Sequence, residues 1–361
     1  MATRKQVSSK SKNARPLPSR GGAAQRALQR KTVQKPLEID FRKPDSTPRW
    51  VREAIETHLA IETEDARSAG ALGFMSRALV MATMPYKDPQ ADVFSRTNGD
   101  FKLRIVAGYE GGLPYGIYPR LLVSWVTTEA VRRQSPECEL GESLTGFLRD
   151  VLELRATGGR HGSLTRVSEQ MKRLFGSLIT AQYTGTQSHR GFVLRNVLLA
   201  EELELHEEEF ADSQEDERPQ DDELWTPQKP HEAGQWKSRV CLSKSFYREC
   251  VEHPVPIDLR AYKALRGSPL AMDVYTWLTY RMSYTARKSR PIRFEALQAQ
   301  FGSSFSNDDQ GRRDFKKGFL KALRAVQTVY PAANVEVLEN GVSLLPSRPH
   351  VLPIEGQRTL F

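Results

Sequence analysis

The chain has 361 residues, with 53 Lys and Arg against 44 Asp and Glu, a net charge of +9, a pI near 9.4 and a mean hydropathy of −0.53. That balance argues against a membrane protein and favours an anionic partner, and the longest apolar stretch, residues 68–85, is broken by Ser76 and Arg77, short of the ~18 uninterrupted apolar residues of a membrane span. The basic N-terminus lacks the apolar core of a secretory signal, and Cys138, Cys241 and Cys250 form no CxxC pair. A reduced, cytoplasmic protein is expected, with neither a disulfide frame nor structural zinc.

Charge divides the chain. Residues 1–35 hold ten basic side chains, no acid and no aromatic residue, which reads as a disordered basic arm over 1–44, either a phosphate-anchoring segment or a solubilising tail. Residues 36–200 are nearly neutral at +2. Residues 201–223 hold thirteen acids and one Arg, which reads as an acidic linker over 206–235 or as a segment that mimics DNA against a basic face.

Within 45–205, Thr47-Pro48 predicts a helix start, with Trp50, Val51, Ile55 and Leu59 on one side. A second helix is expected over 65–84, an extended run over 101–107, a Gly-Pro turn over 111–118 and a helix over 119–133. Ser143 opens a helix whose apolar face is Leu144, Phe147, Leu148, Val151 and Leu152. After a glycine-rich turn at 157–162, whose amides could hold one phosphate, Ser163 caps a helix with Leu164, Val167, Met171, Leu174, Phe175 and Leu178 at 3.6-residue spacing. Arg166, Gln170 and Arg173 share its far side. A hairpin over 178–204, with its tip near 185–190, completes the unit.

The same grammar recurs within 236–350. Phe294, Leu297 and Phe301 mark a short helix that Gly302 ends. Asn307, with Gln310 as the partner in a capping box, starts a longer helix that reaches Val329 before Pro331. Phe315, Phe319, Ala322, Leu323 and Val326 form one face of that helix; Gln310, Arg313, Lys317, Lys321 and Arg324 form the other, interrupted by Leu320. Asn340-Gly341 between extended runs predicts a hairpin whose two turn residues need φ > 0. Helix, turn, helix and wing make a winged helix, and residues 281–324 hold eleven basic against four acidic side chains, suited to phosphate. The expected fold is thus α+β, two tandem winged-helix domains at 45–205 and 236–350, with a flexible tail at 351–361.

Tools of catalysis are missing from the sequence. No Gly-Lys dipeptide exists for a Walker A loop, and no two His stand at two- or four-residue spacing for a nickase or HExxH site. A non-enzyme without cofactor or metal is expected.

The runs Ala71-Leu72-Gly73-Phe74-Met75-Ser76-Arg77, Gly112-Leu113-Pro114-Tyr115-Gly116, Pro119-Arg120-Leu121-Leu122-Val123-Ser124-Trp125 and Thr128-Glu129-Ala130-Val131-Arg132 resemble the plasmid-encoded RepA replication initiators of broad-host-range plasmids. Thr157-Gly158-Gly159 and Arg312-Arg313-Asp314-Phe315 continue the resemblance. It implies a theta-type initiator that binds repeated origin sequences (iterons) in double-stranded plasmid DNA, promotes local opening and recruits the host replicative helicase and initiator. It also implies a bacterial, plasmid-associated protein in monomer–dimer equilibrium, with the first winged helix as dimer or DNA-backbone contact. A transcriptional regulator with two winged helices is the alternative.

On this reading Gln310, Arg313 and Lys317 read bases, Lys316, Lys321 and Arg324 meet phosphate, and Arg312 is a further DNA-binding residue. Arg166, Gln170, Lys172 and Arg173 are their counterparts in the first unit. The terminal Gln357-Arg358-Thr359-Leu360-Phe361 is similar to a bacterial sliding-clamp-binding pentapeptide, with Gln357, Leu360 and Phe361 as its specified residues.

Overall fold

A computed structural model describes residues 49–99, 101–141, 143–185, 191–205 and 238–351, all within one compact unit, Arg49–Phe361. The predicted arm over 1–44, the linker over 206–235 and the clamp-like residues Gln357, Leu360 and Phe361 lie outside the described residues. The fold is mixed α+β. In chain order its elements are α1 (Arg49–Thr63), β1 (Leu72–Ser76), α2 (Arg77–Met81), β2 (Val93–Asn98), β3 (Phe101–Val106), α3 (Ile117–Arg133), β4 (Glu137–Glu139) and α4 (Leu144–Gly146), which continues as a π-helical turn, Phe147–Val151. Then come α5 (Ser163–Phe175), β5 (Leu178–Gly185), β6 (Gly191–Leu198), β7 (Ala200–Glu204), β8 (Arg239–Leu242), α6 (Lys244–Glu252), β9 (Pro254–Asp258) and α7 (Leu259–Ala264). The last elements are α8 (Pro269–Met282), β10 (Ile292–Arg293), α9 (Phe294–Phe301), α10 (Asp309–Val329), β11 (Val335–Leu338) and β12 (Gly341–Leu344).

Segments far apart in sequence share sheets. β1 pairs antiparallel with β9, from Leu72 opposite Asp258 to Ser76 opposite Pro254. β8 lies between β4 and β7, so residues on both sides of the acidic segment build one sheet. The remaining sheets run β2-β3-β5-β6 and β10-β12-β11. Buried apolar residues form one continuous cluster from Met75 to Leu344.

Two helices cross the middle of this cluster. In α3 every residue from Pro119 to Thr128 is buried, and in α8, capped by Ser268 with proline at the first turn, Ala271 through Thr279 are buried. Such all-round burial removes the one-sided stripe that marks surface helices. The helices meet at an ion pair: Arg120 Nε and Nη2 donate to the two carboxylate oxygens of Asp273 at 2.8 and 2.7 Å. Arg120 is 1% exposed. Its remaining N–H groups donate to the carbonyls of Met84, Pro85 and Gly116, and its plane stacks on Tyr86 at 4.8 Å. All five guanidinium donors are therefore used, the condition under which a buried arginine is tolerated.

The structure departs from the sequence reading at several points. The helix expected over 65–84 is instead a turn, with Gly70 at φ +66°, then strand β1 and the short α2. The helical spacing there was outweighed by pairing with β9, some 180 residues later. Ser163 is the first residue of α5 and Gly162 its cap; the Ser163 hydroxyl donates back to the Arg155 carbonyl at 2.7 Å. Neither Asn340 nor Gly341 has positive φ. Leu338 faces Gly341, so Glu339 and Asn340 form the turn, and Gly341 is required because a Cβ would run into the Ile292 carbonyl.

Near the end of the described chain His350 stacks on Tyr330, with ring centroids 4.4 Å apart, and its Nδ1 lies 2.7 Å from the Tyr275 hydroxyl. Burial pushes its pKa down to about 4. The neutral form is favoured in the folded state, so this stabilisation is complete above the unfolded value near 6.5 and is lost as pH falls toward 4. Urea melts should show a declining stability limb over that interval, and His350→Gln should flatten it; an unchanged limb would show that His350 is not its source. Breaking the buried pair with Arg120→Met or Asp273→Ala should cost about 3–5 kcal/mol in the same assay, and the double apolar replacement should cost less than either.

Candidate nucleic-acid interface

The approach of α9 to α10 is set by aromatic packing. Phe319 on α10 lies 5.8 Å from Phe301 and 6.4 Å from Phe294 of α9, 5.7 Å from Phe315 and 6.5 Å from Trp277 of α8. Phe305, in the turn, meets Phe315 at 5.6 Å. The cap of α10 is Asp308, whose carboxylate accepts from Gly311 N–H and the Ser306 hydroxyl, each at 2.6 Å. The capping box expected from Asn307 and Gln310 does not form, because Gln310 Nε2 instead donates to Asp314 at 3.0 Å. Gly311 is buried against the Ser306 carbonyl, where a Cβ has no room.

With its apolar face fixed this way, α10 leaves Gln310, Arg313, Lys317, Lys321 and Arg324 exposed. Leu320, which interrupted the basic face in the helical-wheel reading, is half-buried and packs on the core. Two of the predicted DNA-binding residues already have partners. Arg312 lies 3.3 Å from Asp309, and Lys316 donates to the Glu339 carbonyl at 2.7 Å while sitting 4.9 Å over the Phe294 ring. Lys316 thus ties the wing turn to the helix.

The three-stranded wing adds residues that the sequence reading passed over individually. β10 pairs with β12, placing Arg293 opposite Gly341 at the turn end, and Arg287 and Arg290 lead into it, all exposed. The neighbouring Lys288 is bonded to Glu336 across the wing. The density of basic residues in Arg287-Lys288-Ser289-Arg290 was visible in the sequence, but their place beside β12, where Ser289 N–H donates to the Leu344 carbonyl at 2.8 Å, depends on the fold.

The corresponding helix of the first half, α5, is placed differently. Arg166 is exposed and Lys172 half-buried. Gln170 is 5% exposed, and its side-chain oxygen accepts from Tyr115 N–H at 2.9 Å. Arg173 pairs with Glu169 at 2.9 Å and Asp88 at 3.1 Å, and stacks on Tyr115 at 5.3 Å. Residues 108–116 therefore cover the face on which the spacing placed Gln170 and Arg173, and both serve internal packing. The glycine turn before α5 also differs from the phosphate cradle expected: Gly162, Ser163 and Leu164 N–H donate to Gly159 O, Thr157 Oγ1 and Thr157 O.

Comparison with known proteins bears on this central region. The family model described as "Plasmid encoded RepA protein" matches residues 113–294. The chain belongs to the plasmid-encoded RepA family. No curated protein sequence matches the chain. Among solved structures, that of domains 2 and 3 of RctB matches with a TM-score of 0.44 and 11% identity, over 76% of this chain and 99% of that one, a likeness too distant to bear on function. The RepA match takes in α3, α5 and α8, with both Arg120 and Asp273, and ends at Phe294; α10 and the wing turn lie beyond it. Among the described residues, no helix is long and apolar enough to cross a membrane.

The Ser306 hydroxyl and the Gly311 N–H hold the Asp308 carboxyl below the usual carboxylate range, so its ionised, capping form persists to low pH and is lost only as pH falls through that depressed value. Asp308→Ala should speed amide exchange at Gly311 and Arg312 while Asp308→Asn, which keeps the acceptor, should leave it near the wild-type rate; equal exchange in all three would remove Asp308 as the cap.

Proposed function

We propose that this RepA-family protein is a plasmid replication initiator that binds repeated origin sequences through α10, with residues 286–345 acting as a winged helix. The observation that carries this reading is the exposed row of Arg313, Lys317, Lys321 and Arg324 on a helix whose opposite face is locked by four phenylalanines. A helix of about 10–12 Å diameter with side chains fits the major groove, where arginine pairs with guanine O6 and N7. Gln310, Arg313 and Lys317, toward the N-terminal half of α10, read bases; Lys321 and Arg324 meet phosphate. The wing, with Arg293 in its outer strand and Arg287 and Arg290 in the segment before it, follows the adjacent backbone.

Opening of origin DNA then draws on bending and on host proteins rather than on a motor of this chain. The protein acts without catalysis, as a platform that recruits host helicase and initiator. Clamp binding through Gln357, Leu360 and Phe361 belongs to the same proposal, as does a monomer–dimer equilibrium.

Arg313→Ala should lower affinity for the plasmid's own direct repeats by ~1–3 kcal/mol and relax selectivity at one base pair, whereas Lys321→Ala should weaken all duplexes alike. Fluorescence anisotropy on the repeat and on single-base variants measures both; unaltered affinity and preference in Arg313→Ala would remove α10 as the reading element. Failure of the gene supplied in trans to replicate an origin fragment, despite tight repeat binding, would leave a transcriptional regulator.

A further inference from the structure

Lys316 stands between α10 and the wing. It follows Arg313 and precedes Lys317 on the same helix, yet it is half-buried where both of those are exposed. Its ammonium donates to the Glu339 carbonyl at 2.7 Å and lies 4.9 Å from the centroid of the Phe294 ring. Phe294 opens α9, its ring lies 6.4 Å from that of Phe319 on α10, and its N–H donates to the Asn340 carbonyl at 3.0 Å. The wing turn, Glu339 and Asn340, is thus gripped by two bonds, one from each helix of the helix-turn-helix.

The far end of the wing is held by its own backbone. Ser289 N–H donates to the Leu344 carbonyl at 2.8 Å, and Leu345 N–H to the Asn334 carbonyl at 3.0 Å. At the turn end, where Arg293 lies opposite Gly341, the angle between wing and α10 depends on the grip of Lys316 and Phe294. A charged donor makes the stronger kind of hydrogen bond, and an ammonium over an aromatic face is attracted to the ring as well. A phosphate could take Lys316 only by breaking both contacts.

We propose that Lys316 is a positioning residue for DNA recognition, which holds the wing turn against α10 and does not itself bind DNA. It sets where Arg290 and Arg293 meet the backbone while Gln310, Arg313 and Lys317 lie in the groove. The proposal rests on the reading of α10 as the helix that enters the groove. Backbone contacts fix the register in which bases are read, so the distance between wing and helix must match the duplex before binding. A wing free to swing would have to be ordered on binding, at a cost in affinity.

A double-mutant cycle on the full chain, with a duplex carrying the plasmid's direct repeat, tests this. Lys316→Met keeps the apolar stem over Phe294 and removes the charge and the donor; it is made alone and together with Arg290→Ala/Arg293→Ala. Alone, it should weaken binding about three- to tenfold, but less than about twofold once the wing arginines are gone, because residues that act through one element couple. The slope of log Kobs against log salt concentration should become shallower by about 1.8, as for loss of both wing arginines, and by no more in the combined variant. Hydroxyl-radical protection beside the repeat should be lost while guanine N7 protection persists. In the free protein, amide exchange at Phe294 should quicken while that of α8 stays unchanged, which places the effect at the turn; faster exchange in α8 would make the loss one of folding and overturn the proposal. Additive losses, with a slope shallower by about 0.9 for Lys316→Met alone, also overturn it, since Lys316 would then meet phosphate itself. Unchanged affinity in Lys316→Met or in Arg290→Ala/Arg293→Ala overturns it as well, and leaves the α10 reading standing as long as Arg313→Ala impairs binding. Intact binding and base preference in Arg313→Ala overturn both.

Discussion

The arginine at position 120 and the aspartate at position 273 are 153 residues apart in sequence and bonded through two short hydrogen bonds inside the core. A buried charge pair contributes little net stability compared with apolar packing, but it tolerates no alternative arrangement: either charge alone in that environment is strongly unfavourable. The two central helices can therefore meet in one register. The three carbonyls on Arg120, from Met84, Pro85 and Gly116, extend the same constraint to the loops on either side of the β2–β3 hairpin.

That constraint reaches the basic face. Trp277 stands one helical turn beyond Asp273 on α8, and its ring meets Phe301 at 5.6 Å and Phe319 at 6.5 Å. The helix that receives Arg120 also seats α9 and α10. Placing α10 in a groove consequently carries the first half of the chain in a fixed orientation relative to the DNA. A molecule with shared sheets and one continuous core suits bending DNA, because force applied at one point of attachment is transmitted rather than absorbed by a hinge.

Much of this was legible in local pattern. The limits of α9 and α10 followed from Phe294, Leu297, Phe301, Gly302 and Pro331, and the hairpin expected over 178–204 is present as β5 and β6. What was not legible depended on distant partners. Residues 72–76 read as helix because nothing nearby shows that β9 will pair with them. Gln170 and Arg173 fell on the polar side of α5 by spacing, yet a polar side chain on a helix can face solvent or a covering loop with equal periodicity. Arg120 sat within a family-like run without any sign of burial, and α8, polar at Asp273 and Thr276, shows no one-sided stripe. At α10 the basic face was readable, but the engagement of Arg312 and Lys316 required the position of Asp309 and the wing turn.

On the proposed binding mode α10, and not α5, enters the major groove. A cysteine placed at Gln310 and carrying a tethered iron chelate tests it directly on a duplex containing one origin repeat. Cys138 and Cys250 are buried and Cys241 is half-buried, so a parallel reaction on the unsubstituted chain gives the background. Cleavage is expected on both strands within one major-groove segment of the repeat, recurring at the repeat spacing when several repeats are present. Cleavage confined to scattered backbone positions, or none above background despite bound protein, would contradict it.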